Sequence, residues 1–138
     1  MKEASLQELV DRSEIIEVFN RYALGIDGRD AALLRGCFTE RVDIQTSGTQ
    51  MEQEPAQEWI DLALRAVGIF VSTHHVITNH HIELQGQEAS CIAYLTANHS
   101  SADGAITVGG HYTTRLQKTR EGWRIARLEL TVTHTLTG

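Results

Sequence analysis

Two residues 48 positions apart have the side-chain types of a general base. Asp27 comes at the end of a predicted helix, His75 lies on a predicted strand, and each is surrounded by apolar residues. A carboxylate that orients an imidazole is the simplest general base that a protein can build near pH 7. A carboxylate in the last turn of a helix also opposes the helix dipole, and a histidine partner would relieve that conflict. If the fold brings Asp27 and His75 together in a pocket, we expect an enzyme.

Each of these residues also has a simpler structural interpretation. Asp27 belongs to the segment Asp27-Gly28-Arg29-Asp30, whose composition suits a turn between two helices. A single histidine that faces the core is more often a hydrogen-bonded structural residue than a catalyst. From the residues alone, a catalytic pair and a buried structural pair therefore both remain open.

Four of the seven histidines lie on one predicted strand and raise the question of a metal site. They are His74, His75, His80 and His81. Adjacent side chains on a strand point to opposite faces, and the rise is about 3.3 Å per residue. His75 and His81 would share a face at a separation of roughly 20 Å, too far for two metal bonds of about 2.0–2.1 Å each. A metal ion would need ligands from neighbouring strands, such as His99 or His111. We therefore expect no metal site, with His80 and His81 exposed near a turn.

The first quarter of the chain is predicted to form two helices that meet beside Asp27. Ser5 followed by Glu8 is a capping box, and apolar residues then recur at three- and four-residue spacing as far as Ile26. Gly28 is predicted to end this helix in the left-handed conformation. Asp30 can then cap a short second helix.

The remaining elements are predicted to be a strand, a third helix and a meander. A short strand over residues 42–46 is followed by a polar loop as far as Glu54, and Pro55 suits the first turn of a helix that runs to about Val67. Runs rich in threonine and valine, separated by turn residues, then predict four long strands. These strands cover roughly residues 72–84, 88–99, 105–118 and 123–135. Helices first and a meander afterwards predict an α+β fold, with the helices on one face of a sheet.

Length and composition limit the classes of function. The chain has 138 residues, of which 41% are hydrophobic and 22% charged, and this predicts a single domain over residues 1–138. The net charge of −6 argues against a nucleic-acid surface. No apolar stretch is long enough for a membrane span, and residues 1–5 lack the apolar core of a signal peptide. Cys37 and Cys91 lack metal-like spacing, and we interpret them as reduced, buried thiols of a cytoplasmic protein.

Three groups of residues, together with the order of the elements, carry a resemblance that covers essentially the whole chain. The groups are Ile26-Asp27-Gly28-Arg29-Asp30 with Leu34-Arg35-Gly36-Cys37-Phe38, then Thr73-His74-His75-Val76-Ile77-Thr78-Asn79, then Gly109-Gly110-His111-Tyr112 with Gly122-Trp123-Arg124-Ile125. With these groups the chain resembles the SnoaL-like branch of the nuclear-transport-factor-2-like (NTF2-like) superfamily. The resemblance implies a cone-shaped α+β barrel, in which three N-terminal helices pack on a curved, mainly antiparallel sheet.

Within that branch, the motifs are most similar to those of scytalone dehydratase and hexachlorocyclohexane dehydrochlorinase. Both families use an aspartate at the end of the first helix to orient a histidine on the strand after the third helix. These positions fall on Asp27 and His75. Scytalone dehydratase has a further pocket histidine, whose position falls on His99. The resemblance therefore implies Asp27, His75 and His99 as catalytic residues.

The residues that would recognise the substrate differ from the family pattern. Scytalone dehydratase has tyrosines beside its aspartate and on the first strand, where this chain has Ile26 and Thr46. A serine and an asparagine of the same pocket are replaced by Gly110 and Tyr112. Scytalone itself is therefore not expected to be the substrate.

On this basis we predict a cofactor-independent lyase or isomerase of the dehydratase or dehydrochlorinase kind. Its substrate would be a small hydrophobic molecule, such as a cyclic or polyketide-like compound. His99 or Tyr112 would donate a proton or stabilise an enolate. The residues predicted to contact the substrate are Phe19, Tyr22, Trp59, His111 and Tyr112.

Two non-catalytic alternatives stay open at this point. The same cavity would serve a protein that only binds a small ligand, and the β chains of ring-hydroxylating dioxygenases use this fold as assembly subunits. In each case a homodimer or homotrimer is expected, because a meander of long strands leaves an apolar outer face.

Overall fold

The structure is a computed structural model that describes residues 5–138. Residues 1–4, on which the expectation about a signal peptide partly rests, lie outside the described residues. Helices and strands follow one another along the rest of the chain as two helices, two strands, a third helix and four strands. They are α1 (Leu6–Asp27), α2 (Ala31–Arg35), β1 (Phe38–Thr46), β2 (Thr49–Pro55), α3 (Ala56–Gly68), β3 (Ser72–Gln85), β4 (Glu88–Ser101), β5 (Gly104–Thr119) and β6 (Gly122–Thr137).

The strands form one curved, open sheet in the order β2-β1-β6-β5-β4-β3. Strands β1 and β6 are parallel, and every other neighbouring pair is antiparallel. Helix α1 packs against β3 and β6, and α3 packs against β1 and β2. The predicted α+β fold, with three N-terminal helices packed on a mainly antiparallel sheet, is confirmed. The four long strands also begin and end within two residues of their predicted limits.

Helix α1 buries one stripe of its surface. Ser5 caps its N-terminus as predicted, accepting a hydrogen bond from the backbone N–H of Glu8 at 3.1 Å. The apolar side chains that the helix buries recur at three- and four-residue spacing. They are Ile15, Val18, Phe19, Tyr22 and Ile26. Leu6 and Leu9, by contrast, are 77% and 54% exposed, so apolar spacing overestimates the buried face at the start of the helix.

A buried carboxylate holds the first turns of α1 in place. Oδ1 of Asp11 accepts hydrogen bonds from Nε1 of Trp123 and Nζ of Lys118 at 3.0 Å each, and from Nε2 of Gln7 at 3.1 Å. These bonds join α1 to the β5–β6 hairpin. Burial raises the pKa of Asp11, but the hydrogen bonds and the charge of Lys118 outweigh burial, so the pKa lies below its ordinary value.

The polar segment after β1 is a strand and not the predicted loop. Gly48, with φ 82°, makes the turn between β1 and β2, and Thr46 pairs with Thr49 across it. Strand β2 is at the edge of the sheet, and its side chains are half-buried or exposed. The loop prediction is wrong because an edge strand of this kind needs no apolar alternation. Pro55 ends β2 and immediately precedes α3.

Several smaller expectations can be compared with the described residues. None of their helices is long and apolar enough to cross a membrane. Cys37 and Cys91 are free and buried, as predicted. The face of the sheet opposite the helices exposes Ile92 and Tyr94. A homodimer or homotrimer formed through that face stays a prediction.

Candidate active site

The end of α1 places Asp27 beside the sheet. Asp27 is the last residue of the helix, and α2 crosses it closely, because a Cβ on Gly25 would lie 3.0 Å from the backbone nitrogen of Leu34. The predicted left-handed conformation does not belong to Gly28, which has φ −84°, but to Arg29, with φ 53°. A side chain in that conformation costs about 1–2 kcal/mol, and Arg29 offsets this cost with hydrogen bonds.

The guanidinium of Arg29 connects three elements. Nη1 donates to the carbonyl oxygen of Ile26 in α1 and to Oγ1 of Thr73 in β3, both at 2.9 Å. Nη2 donates to the carbonyl oxygen of Val67 in α3, also at 2.9 Å. Arg29 therefore satisfies carbonyl groups at the ends of two helices while it contacts the strand that carries His75.

The structure brings Asp27 and His75 into direct contact. Nδ1 of His75 lies 2.7 Å from Oδ1 of Asp27, and the backbone N–H of His75 donates to Oδ2 at 2.8 Å. Thr73, which strand alternation places on the same face as His75, donates from Oγ1 to Oδ1 at 3.0 Å. An ionised carboxylate only accepts hydrogen bonds, so Nδ1 of His75 carries the hydrogen and Nε2 keeps a lone pair.

Burial sets the charge state of His75. Its side chain is 7% exposed, and burial lowers the pKa of the imidazole. The hydrogen bond and the charge of Asp27 raise this pKa, whereas His99 and Arg29 lower it. The net result is a pKa below the ordinary value of about 6.5, so His75 is neutral at pH 7. A neutral imidazole with a free nitrogen is a competent general base.

His75 lines an apolar cavity of about 310 Å³ between the helices and the sheet. The wall consists of hydrophobic side chains, two imidazoles, two phenols, an indole and two aliphatic hydroxyl groups. Its members are Tyr22, Ile26, Thr46, Ser47, Trp59, Ala63, Ala66, Val67, His75, Leu95, Ala97, His99, Val108, Tyr112, Leu130 and Val132. No lysine, arginine, aspartate or glutamate among the described residues contributes to this wall. Such a wall favours an uncharged molecule.

The wall carries further polar groups. The ring of His99 packs edge to face on the ring of His75 with centroids 5.9 Å apart, and its Nδ1 is buried without a hydrogen-bond partner in residues 5–138. The rings of Tyr22 and Tyr112 are 5.7 Å apart. Burial raises the pKa of Tyr22 to about 12, against the opposite effect of its hydrogen bond with Tyr112. Nε1 of Trp59 is also buried, with no partner within the same residues.

The structure places most of the predicted site residues at this cavity and two of them elsewhere. Those that line it are Tyr22, Trp59, His75, His99 and Tyr112, while Asp27 lies directly behind His75. Phe19 is fully buried with its ring 5.4 Å from that of His80. His111 precedes Tyr112 on β5, so strand alternation turns it to the opposite face of the sheet. Phe19 and His111 therefore lie outside the wall of this cavity, unlike the other residues predicted to contact the substrate.

A bulge in β3 changes which histidines face inward. Asn79 has φ 56°, and the pairing with β4 shifts between Thr78 and His81. His80 is consequently half-buried, whereas the side chain of His81 is 73% exposed. The predictions that His80 is exposed and that His75 and His81 share a face are wrong, because the bulge adds one residue to the strand. Within residues 5–138, no three histidine, cysteine, aspartate or glutamate side chains are grouped to hold a metal ion.

A larger groove elsewhere on the surface lacks this chemistry. It has a volume of about 520 Å³ and lies among α2, β1 and the β5–β6 turn. Its charged residues are Arg35, Glu40, Glu121 and Arg124. Because it contains charges of both signs and no histidine, we take the smaller cavity beside His75 as the candidate active site.

The sequence prediction omits two residues of the hydrogen-bond network behind His75, Arg29 and Thr73. Thr73 lies two positions before His75, and strand alternation is a signal that could have identified it. Arg29 gives no such signal, because its role depends on the packing of α1, α3 and β3 around its side chain.

Comparisons with known proteins support the same fold. The family model of SnoaL-like domains matches residues 7–129. The Kfla4162 protein of Kribbella flavida superposes with a TM-score of 0.87 at 28% identity, over 93% of this chain and 94% of that chain. A candidate scytalone dehydratase from Novosphingobium aromaticivorans gives 0.83 at 21% identity, over 94% and 89% of the two chains. A hexachlorocyclohexane dehydrochlorinase, LinA type 2, gives 0.86 at 17% identity, over 98% and 93%. At such identities, the likeness to the dehydratase and the dehydrochlorinase shows a shared fold. No curated protein sequence matches this chain significantly.

Proposed function

The chain belongs to the SnoaL-like domain family, and from this premise we propose that it is a lyase or isomerase that removes a proton from a carbon atom of a small, uncharged substrate. The observation that carries the proposal is the neutral imidazole of His75, which Asp27 orients on the wall of an apolar cavity. Two structural neighbours carry the names of elimination enzymes, a dehydratase and a dehydrochlorinase, and this supports an elimination.

His75 is the proposed general base. Its Nε2 would accept a proton from a carbon next to a carbonyl group, or next to the carbon that bears a leaving group. The electron pair of the C–H bond then forms a new double bond, and either an enolate forms or the leaving group departs with its own electron pair. The carboxylate of Asp27, 2.7 Å from Nδ1, stabilises the imidazolium that results.

His99 and Tyr112 are the proposed partners of the developing negative charge. Both line the same wall as His75. Burial raises the pKa of Tyr112 well above its ordinary value, so this phenol is suited to donate a hydrogen bond to an enolate oxygen rather than to release its proton. The imidazole of His99 is the better candidate to protonate a departing oxygen. Trp59 offers a further N–H donor that has no partner in the described residues.

The size and charge of the cavity limit the substrate. A volume of about 310 Å³ lies at the lower end of the range of about 300–1,000 Å³ for small-molecule sites, which suits a molecule of one or two rings. A carboxylate or phosphate group would find no opposite charge on the wall. Ile26 and Thr46 line the cavity. The resemblance to scytalone dehydratase implies tyrosines at these two positions in that family, so we propose a substrate other than scytalone.

The reaction rate is expected to rise with pH through the pKa of His75. The base must be neutral to act, and its pKa lies below the ordinary value of about 6.5. The value of kcat/KM should therefore fall about tenfold for each pH unit below that pKa and reach a plateau by about pH 7. A pH profile between about pH 4.5 and 8.5 checks this expectation. An acid limb with its midpoint above about pH 6.5 would contradict it.

The proposal is tested with a panel of uncharged cyclic ketones, β-hydroxy ketones and chlorinated hydrocarbons in heavy water. NMR spectra would show deuterium incorporation at a carbon, or elimination, for at least one member of the panel. Ligand-observed NMR on the same samples reports binding. Binding of panel members with neither exchange nor elimination would instead favour the ligand-binding alternative.

A further inference from the structure

The hydrogen-bond chain behind His75 has a fixed direction. The guanidinium of Arg29 has donors only, and its Nη1 lies 2.9 Å from Oγ1 of Thr73, so the hydroxyl group must accept this hydrogen bond. The single hydrogen of the Thr73 hydroxyl is then available for Oδ1 of Asp27, at 3.0 Å. Arg29 therefore donates to Thr73, and Thr73 in turn donates to Asp27.

The carboxylate of Asp27 is consequently surrounded by donors. Oδ1 accepts from Thr73 and from Nδ1 of His75, and Oδ2 accepts from the backbone N–H of His75. A proton on either oxygen would point towards a group that is itself a donor, so both oxygens act as acceptors. Asp27 cannot then donate to His75, and Nε2 is left as the nitrogen with the lone pair.

We propose that Arg29 and Thr73 are positioning residues for the general base. They fix the orientation of Asp27 and the direction of its hydrogen bonds, and thereby keep Nε2 of His75 unprotonated. Neither Arg29 nor Thr73 belongs to the wall of the cavity, so both act through Asp27. This inference rests on the proposed function, because it assigns both residues a task in the same site.

Arg29 also has a structural role, so loss of activity alone would not separate positioning from folding. It donates to carbonyl groups of both α1 and α3. A measurement on His75 itself is needed. The groups around that imidazole decide whether its pH midpoint rises or falls. The charged and titratable side chains around His75 are Asp27, Arg29 and His99, with Tyr22 and Tyr112 on the same cavity wall. Removal of a donor from Asp27, or of the positive charge of Arg29, stabilises the imidazolium of His75.

The test observes the His75 imidazole directly and needs no substrate. Long-range ¹H–¹⁵N spectra of protein labelled with ¹⁵N-histidine show which ring nitrogen of His75 carries the hydrogen. A pH titration of the same signals gives the pH midpoint at which His75 takes up a proton. Wild type and Thr73→Ser are expected to hold the Nδ1–H tautomer. In Thr73→Val the pH midpoint of His75 is expected to rise by about 0.5–1 unit. The carboxylate of Asp27, no longer held by the hydroxyl group, can also turn away from Nδ1, so a fraction of the Nε2–H tautomer should become detectable. Thr96→Val, the same change at an exposed position of β4, should leave His75 unchanged.

Two further measurements extend the test. Arg29→Gln removes the positive charge and, like Thr73→Val, is expected to raise the pH midpoint of His75. On a substrate identified in the panel, Thr73→Val should lower kcat about 10–100-fold at pH 7 with little change in KM, because the substrate wall is intact.

The outcomes separate this inference from the proposed function. An unchanged His75 tautomer and midpoint in both Thr73→Val and Arg29→Gln would overturn the positioning role. Equal effects of Thr73→Ser and Thr73→Val would also overturn it, since packing and not the hydroxyl group would then be responsible. A wild-type Nδ1–H tautomer that Thr73→Val disturbs, in a protein that exchanges no substrate proton, would support the inference and defeat the proposed function.

Discussion

Asp27→Asn is expected to lower kcat by about 10²–10⁴-fold while the protein stays folded. The backbone N–H of His75 still requires an acceptor, so the amide oxygen takes the place of Oδ2. The amide nitrogen then takes the place of Oδ1, 2.7 Å from Nδ1 of His75, and donates to it. The imidazole hydrogen moves to Nε2, and the nitrogen that should remove the substrate proton is blocked.

Asp30→Asn is the matched control for this substitution. Asp30 lies three residues away, is exposed, and caps α2 by accepting a hydrogen bond from the backbone N–H of Leu33. Asparagine caps a helix about as well as aspartate, so the control should keep wild-type turnover. Steady-state kinetics on a panel substrate, with thermal unfolding to verify the fold, provide the measurement. Full turnover by Asp27→Asn would show that the carboxylate does not orient the base.

The contact between Asp27 and His75 could be predicted because each residue lies in a local pattern that the sequence shows. A helix end beside a turn and a strand with one inward histidine are visible in the sequence, and the family resemblance pairs them. The rest of the site depends on register. The bulge at Asn79, and which of the adjacent residues His111 and Tyr112 points inward, decide which side chains face the cavity. Composition and spacing fix neither of them.

The fold likewise has elements that could be predicted from the sequence and elements that could not. The meander could be predicted because long runs of threonine and valine between turn residues favour strands. Strand β2 could not, since an edge strand stabilised by pairing with β1 has no apolar pattern. The stabilising role of Asp11 could not be predicted either. It depends on contacts with Lys118 and Trp123, which are more than 100 residues away along the chain.

Asp11→Ala is expected to lower the free energy of unfolding by about 2–4 kcal/mol. The substitution leaves the indole N–H of Trp123 and the ammonium of Lys118 without their common acceptor. The pKa of Asp11 lies below its ordinary value in the folded protein, so its contribution is complete above about pH 4. The contribution is lost as the pH falls through the lowered pKa, because the carboxyl group then takes up a proton. Urea unfolding at pH 7 and at about pH 3 measures both effects.

Asp61→Ala provides the control for stability. Asp61 accepts a hydrogen bond from Gln57 at 2.9 Å, four residues earlier on α3, just as Asp11 accepts one from Gln7 on α1. Asp61 is exposed, so its removal should cost less than about 0.5 kcal/mol. Equal losses for the two variants would mean that the buried cluster contributes no more than a surface contact.

Deuterium exchange at a substrate carbon, compared between His75→Gln and His81→Gln, tests the central claim most directly. Both variants carry the same substitution on β3, but His75 contacts Asp27 at the cavity whereas His81 is exposed. With the panel compound that wild type exchanges fastest, His81→Gln should match wild type and His75→Gln should be slower by about 10²–10⁴-fold. Wild-type exchange in His75→Gln would contradict the assignment of His75 as the base.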